Sequence, residues 1–164
     1  MGFFSKLFSK NEDKKNCLYA PMAGQAVALS EVPDPAFSGG MLGDGIAVIP
    51  SAGEVVAPCD ATVDMMFATG HAVSLVADTG AELLIHMGLD TVTLNGAPFQ
   101  IKVESGQKVK KGDVLMVADL EAIKAAGLDT ITPMLVCNSA DYNNFKTFTG
   151  KAVTNADAVI DLGK

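Results

Sequence analysis

Arginine and tryptophan are absent, and 164 residues hold only two histidines, two tyrosines and three cysteines. Without arginine there is no bidentate guanidinium clamp for a phosphate or carboxylate. All 12 basic residues are lysines; they face 19 acids, and the net charge of −7 argues against nucleic acid as a partner. Cys17, Cys59 and Cys137 are odd in number, widely spaced and form no CxxC pair, which reads as reduced thiols of a cytosolic protein, with neither a disulfide framework nor a cysteine-held zinc. No apolar run approaches the ~20 residues of a membrane span. There is no GxSxG elbow and no GxxxxGK[ST] or GxGxxG phosphate cradle, so a serine hydrolase and nucleotide use both lack their signatures.

What is present is β-like. Apolar residues make up 49% and charged residues 19%, enough for one domain with a hydrophobic core. After Cys17, short apolar runs alternate with turn signals every ~8–12 residues, the spacing of an antiparallel sandwich or barrel. Strands are expected at Gln25–Leu29, Gly45–Pro50, Gly53–Ala57, Ala61–Met66, Ala72–Val76, Glu82–His86, Thr91–Leu94, Gln100–Lys102, Lys108–Val109, Val114–Asp119, Thr132–Val136, Lys151–Val153 and Ala158–Asp161. One helix is expected over Leu120–Ala126, with Asp119 as its N-cap and Gly127 as its stop. Two Ala-Pro segments, Ala20-Pro21-Met22-Ala23-Gly24 and Ala57-Pro58-Cys59-Asp60-Ala61, suggest internal pseudo-symmetry.

The N-terminal segment, residues 1–17, stands apart from the domain at 18–164. Lys6, Lys10, Lys14 and Lys15 against Glu12 and Asp13 give residues 1–16 a net charge of +2, leaving −9 for the rest. Phe3, Phe4, Leu7 and Phe8 share one face of a short helix. The segment reads either as a flexible tail or as an amphipathic helix contacting an anionic membrane surface through residues 1–10.

The two histidines meet across a hairpin. Asp78-Thr79-Gly80 is a tight-turn signal between two strands. With Ala77 opposite Gly80, His71 falls opposite His86; a shift of one residue makes them diagonal neighbours. Side chains directly opposite share a face, with β-carbons ~4.5–5.5 Å apart. Two neutral imidazoles on a shallow apolar surface suit zinc binding, general acid–base catalysis or covalent carriage of a phosphoryl group. Zinc is short of ligands, with Asp90 the one conceivable third.

The residues now resemble the glucose-type enzyme IIA family of the bacterial phosphoenolpyruvate-dependent sugar phosphotransferase system. The resemblance runs from about Leu18 to the C-terminus. It rests on Ala20-Pro21-Met22-Ala23-Gly24, Val32-Pro33-Asp34-Pro35-Ala36-Phe37, Gly43-Asp44-Gly45-Ile46-Ala47, Ala57-Pro58, Thr69-Gly70-His71-Ala72, His86-Met87-Gly88-Leu89-Asp90-Thr91-Val92, Leu94-Asn95-Gly96-Ala97-Pro98-Phe99, Gly106 to Asp113, and Thr132-Pro133. It implies an all-β fold, an antiparallel sandwich or barrel with short helices, of the duplicated hybrid motif type. It implies that His86 is phosphorylated on its outer nitrogen and oriented by the Gly88 carbonyl. His71, positioned by Thr69, then assists onward transfer. The implied donor is the phosphorylated histidine-containing phosphocarrier protein. The implied acceptor is a cysteine of enzyme IIB in a IIB/IIC sugar permease. Neither cofactor nor metal is implied.

A docking patch drawn from Phe37, Phe67, Leu84, Ile46, Val73 and Met87, rimmed by Asp34, Asp44 and Asp90, would fit such a partner; most of these hydrophobes are expected in the core, with Phe37, after its Pro-Asp-Pro loop, the best exception. The chain departs from the usual family pattern at Gly70, where a polar residue is common, and at Ala61, where glycine is. Members of the family in some bacteria also regulate permeases, glycerol kinase or adenylate cyclase, which leaves a regulatory role open. Two other readings stand beside this one. Gly106 to Leu115, followed by Glu121-Ala122-Ile123-Lys124, resembles a biotinyl or lipoyl carrier modified at Lys124. A zinc peptidase of related barrel shape is the other.

Overall fold

A computed structural model describes residues 16–163. The chain forms β1 (Cys17–Tyr19), β2 (Gly24–Ala28), α1 (Pro35–Ser38), β3 (Asp44–Pro50), β4 (Glu54–Val56), β5 (Ala61–Met66), β6 (Ala72–Ala77) and β7 (Glu82–His86). It continues with β8 (Phe99–Ile101), β9 (Lys108–Val109), β10 (Val114–Ala118), α2 (Leu120–Ala125), β11 (Thr132–Val136), β12 (Lys146–Thr147), β13 (Lys151–Val153) and β14 (Ala158–Asp161). An eight-stranded antiparallel sheet has the order β13-β2-β3-β11-β7-β6-β5-β9, and two three-stranded sheets, β1-β14-β12 and β4-β10-β8, complete an all-β fold. Among the described residues no helix is long and apolar enough to cross a membrane.

The repeated Ala-Pro segments lie at the centre of an internal duplication. The Tyr19 amide donates to the Pro58 carbonyl, and the Val56 amide donates to the Pro21 carbonyl. Each segment thus offers the other the same pair of groups. Ala20 N–H bonds Asp157 O while Ala57 N–H bonds Asp113 O. Asp157 and Asp113 each close an identical turn, accepting from the amides of Thr154 and Lys110. The Asn155 side chain ties the two halves, donating to the carbonyls of both Ala20 and Ala57. The eight-stranded sheet repeats the relation: β13-β2-β3-β11 mirrors β9-β5-β6-β7, with the pseudo-dyad passing between β11 and β7.

Strand faces follow the two-residue period. On β7, Leu83 and Ile85 enter the main core, which also takes Leu75, Val73, Met134 and Ile46. Leu84 and His86 point to the other face. At the sheet centre both faces are covered, and every residue of β11 is buried. A second apolar cluster, containing Val27, Leu29, Val32, Phe37, Ala47 and Leu135, lies over the outer face there. It explains α1, which at four residues has no stability of its own. Asp34 caps it, accepting from the Ala36 amide, and Pro35 opens it. Burial of Phe37 and Val32 contributes roughly 1.5–3 kcal/mol each and holds it down.

Most expected strands are found to within a residue or two, and Leu120–Ala125 is helical, with Asp119 accepting from the Ala122 amide. Four segments differ. Thr91–Leu94, expected as a strand, is a 3₁₀ turn. Its threonine hydroxyls bond local carbonyls, Thr91 to Met87 and Thr93 to Asp90, and these local bonds displace a ladder. The short β1, β12 and α1 were not anticipated; each is held by pairing or packing from distant chain. Asn16 and Cys17 belong to the fold, the Leu162 amide donating to the Asn16 carbonyl. The rest of the expected N-terminal segment, with its membrane contact at residues 1–10, lies outside the described residues.

Candidate functional site

The hairpin register is one residue away from the direct pairing. Ala72, not His71, stands opposite His86. The turn has three residues: the Gly80 amide donates to Ala77 O, the Ala77 amide donates to Ala81 O, and Gly80 is left-handed at φ +97°. Glycine in that bulge adds the residue that shifts the pairing. His71 is consequently diagonal to His86, and its carbonyl accepts from the Met87 amide at 2.7 Å. The rings still meet edge to face, with centroids 5.1 Å apart.

Each imidazole is held by one hydrogen bond and one aromatic wall. His86 Nδ1 lies 2.7 Å from the Gly88 carbonyl oxygen. A carbonyl only accepts, so Nδ1 carries the proton and Nε2 the lone pair when the ring is neutral. Phe37 packs on the His86 ring at 5.1 Å. His71 Nδ1 is hydrogen-bonded to the Thr69 hydroxyl at 2.5 Å, and Phe67 meets the His71 ring edge-on at 5.4 Å. The Thr69 loop is closed by the Gly70 amide on Phe67 O and the Phe67 amide on Ala72 O. Gly70 is left-handed, and a β-carbon there would stand 2.9 Å from Phe99 Cβ. Glycine at this departure from the family pattern therefore lets the loop lie flat against β8.

Burial pushes both histidines below their ordinary value of 6.5. For His71 the second cause is the neighbouring His86 charge. For His86 the Gly88 carbonyl, Asp34 and Asp90 oppose the burial without overcoming it. Both rings are thus neutral at pH 7. The unfolded chain binds protons near pH 6.5 that the folded chain refuses until lower pH. Stability is present above 6.5 and is lost as pH falls through the lowered folded-state values. Each group contributes a slope of at most about 1.4 kcal/mol per pH unit. Thermal melts between pH 5 and 7.5 should show this fall, and His71→Gln should make it shallower.

Gly88 is constrained twice. Its φ is +74°, and a β-carbon would lie 2.6 Å from Thr91 Cγ2 and 2.8 Å from Asp129 O. Gly88→Ala therefore adds a left-handed penalty of roughly 1–2 kcal/mol to a clash with backbone. Its melting temperature should drop by several degrees, and His86 should lose its single tautomer, read from imidazole ¹⁵N shifts.

The acidic candidates separate. Asp34, at the cap of α1, and Asp90, in the turn after β7, are close enough to His86 to act on its charge. Asp44 is not at this site. It pairs with Val136 at the start of β3, on the row of Leu83 rather than of His86. Its carboxylate accepts from the Gly45 amide, and it lines a polar groove of about 470 Å³ with Ser38, Gly40 and Ser139. Phe37 is 6% exposed and serves as a wall behind His86. Phe67 and Leu84 are half-buried. Ile46, Val73 and Met87 are core residues, as expected of most of the patch hydrophobes; Ile46 and Val73 face inward from their strands, and Met87 is buried just after β7. Val92, in the turn after β7, and Ile101, on β8 against Gly70, are exposed hydrophobics outside the expected patch.

Lys124 lies on α2 and pairs with Glu121 at 3.6 Å, where a carrier lysine requires a hairpin tip. Among the described residues no three His, Cys, Asp or Glu side chains converge on a point that could hold a metal ion. Cys59 is inert as a nucleophile: burial, then Asp60 and Asp78, push its thiol up to about 12.

An all-antiparallel duplicated fold with two imidazoles at one end of a hairpin defines a known class of protein. The sequence pattern of the family described as phosphoenolpyruvate-dependent sugar phosphotransferase system, EIIA 1, matches residues 16–142, and the chain belongs to that family. Among solved structures it is similar to the glucose permease IIA from Mycoplasma capricolum, at 32% identity, with 92% of this chain and 97% of that one covered and a TM-score of 0.83. The protein is accordingly a component of a sugar phosphotransferase system.

Proposed function

We propose that His86 is the phosphoryl-accepting residue and that the phosphoryl group passes onward to a cysteine of a sugar-specific enzyme IIB. The observation that carries this reading is the His86 Nδ1 to Gly88 carbonyl bond, which leaves Nε2 unprotonated beside the His71 ring. In the first step the lone pair of Nε2 attacks phosphorus of a phosphohistidine on the histidine-containing phosphocarrier protein. The new P–N bond forms as the donor's P–N bond breaks, and the electron pair returns to the donor nitrogen. The proton stays on Nδ1, donated to the Gly88 carbonyl, throughout. In the second step a cysteine thiolate of enzyme IIB attacks phosphorus, a P–S bond forms and His86 Nε2 recovers its lone pair.

His71 supports the transfer as a hydrogen-bond donor. With the Thr69 hydroxyl donating to Nδ1, the proton of neutral His71 sits on Nε2, available to a phosphoryl oxygen. Phe67, Leu84, Val92 and Ile101 offer apolar contact around the site, and Asp34 and Asp90 offer charge to a basic partner. The setting is the cytoplasm, where a IIB/IIC permease presents its phosphorylatable domain. Incubation with phosphoenolpyruvate, enzyme I and the phosphocarrier, followed by mapping of the label, tests the reading. Label on Nε2 of His86 is expected; label on another residue overturns it.

A further inference from the structure

The turn that follows His86 is strained and is pinned at successive peptide units. Gly88, at φ +74°, adopts the left-handed region freely, whereas Asp90, at φ +59°, is held there by its surroundings. The Met87 amide is held by His71 O. The Met87 carbonyl accepts from the Thr91 hydroxyl at 2.6 Å. The Leu89 amide donates to Asp129 O at 3.0 Å. The Gly88–Leu89 peptide is therefore gripped on its N–H side by Asp129 and on its C=O side by the His86 ring. Among the described side chains, Thr91 is the one that bonds the peptide before it, at the Met87 carbonyl.

From this we infer that Thr91 is a positioning residue for His86. Thr91 has no exposed surface. Its methyl occupies the space a Gly88 β-carbon would need. Its hydroxyl fixes the plane of the Met87–Gly88 peptide, and that plane sets where the Gly88 carbonyl points. If the hydroxyl is lost, Met87 O is left without its donor and the peptide rotates to find another. The Gly88 carbonyl then leaves His86 Nδ1, and the ring divides between two tautomers. Only the tautomer with the proton on Nδ1 has a nucleophilic Nε2. The Gly88 carbonyl also raises the His86 pKa, so its departure lowers that pKa further.

The inference rests on His86 being the phosphoryl acceptor, and its test has a readout that does not need transfer. The full chain is labelled with ¹⁵N-histidine, and Thr91→Val, Thr91→Ala and Thr91→Ser are compared with wild type. Serine and alanine both lack the methyl and differ by the hydroxyl, so that pair isolates the bond even if the valine variant fails to fold. Wild type and Thr91→Ser should show one His86 tautomer with the proton on Nδ1. Thr91→Ala and Thr91→Val should show a mixture and a lower His86 pKa. Their maximal rate of phosphoryl acceptance from the phosphocarrier should fall about 10-fold with KM unchanged. Serine and alanine variants with the same tautomer, pKa and rate would overturn the role of the hydroxyl. Label on a residue other than His86 in wild type would instead overturn the acceptor assignment and leave the tautomer result standing.

Discussion

His86→Gln accepts no phosphoryl group from the phosphocarrier, with a loss of about 10⁴-fold or more in single-turnover transfer. The amide preserves much of the ring's volume against Phe37, which lies 5.1 Å from the imidazole centroid, and the fold should survive. It has no nitrogen lone pair of comparable nucleophilicity, because amide resonance withdraws it. The neighbouring His71 imidazole is no substitute, because the Thr69 hydroxyl donating to its Nδ1 leaves its proton on Nε2, and the Cys59 thiol is held near 12, far above any working pH. Quench-flow with ³²P-labelled phosphocarrier measures the loss. Because burial keeps His86 below 6.5, wild-type acceptance should hold its full rate at pH 7 and fall only as the pH drops below that ordinary histidine value. Protonation of Nε2 removes the lone pair that attacks.

His71→Ala separates the two halves of the relay. Acceptance at His86 should stay within about 10-fold of wild type, since the Nδ1–Gly88 bond that orients the nucleophile does not pass through the His71 ring. Donation to enzyme IIB should fall by about 10²–10³-fold, the scale on which a single charge-stabilising donor acts. The variant thus accumulates as phosphoprotein when both partners are supplied. Thr69→Val, which keeps His71 but removes the hydroxyl bonded to its Nδ1, should show a weaker form of the same split. Equal losses in both half-reactions for His71→Ala would assign His71 to the nucleophile's orientation and not to transfer. Phosphoprotein resolved on gels, with and without enzyme IIB, distinguishes the outcomes.

Much of the fold was legible because its signals are local. Alternation on β5 and β7, the Asp-Thr-Gly turn and the Asp119 cap each act within a few residues, where side-chain period and turn chemistry dominate. The duplicated Ala-Pro segments hinted at pseudo-symmetry, and the reciprocal bonds between Tyr19 and Pro58 and between Val56 and Pro21 give it a physical form. Thr91–Leu94 failed as a strand for an equally local reason of opposite sign. Its β-branched residues satisfy strand propensity, but their hydroxyls find carbonyls within four residues. Asp44 shared a motif with the site in sequence and lies elsewhere, because its strand β3 is separated from β7 by β11.

By itself, the sequence determined the fold class, the family and the convergence of its only two histidines. These depend on pattern, on spacing and on a turn whose error of one residue leaves neighbours still neighbours. Tertiary structure alone decided the rest. Phe37 became a wall of the site because a distant apolar cluster holds α1 over the sheet. The Gly88 carbonyl is aimed because Asp129, some forty residues along the chain, grips the same peptide from behind. Whether an imidazole is neutral, and on which nitrogen its proton sits, follows from burial and from carbonyl partners that the fold brings together, and no short-range pattern encodes either.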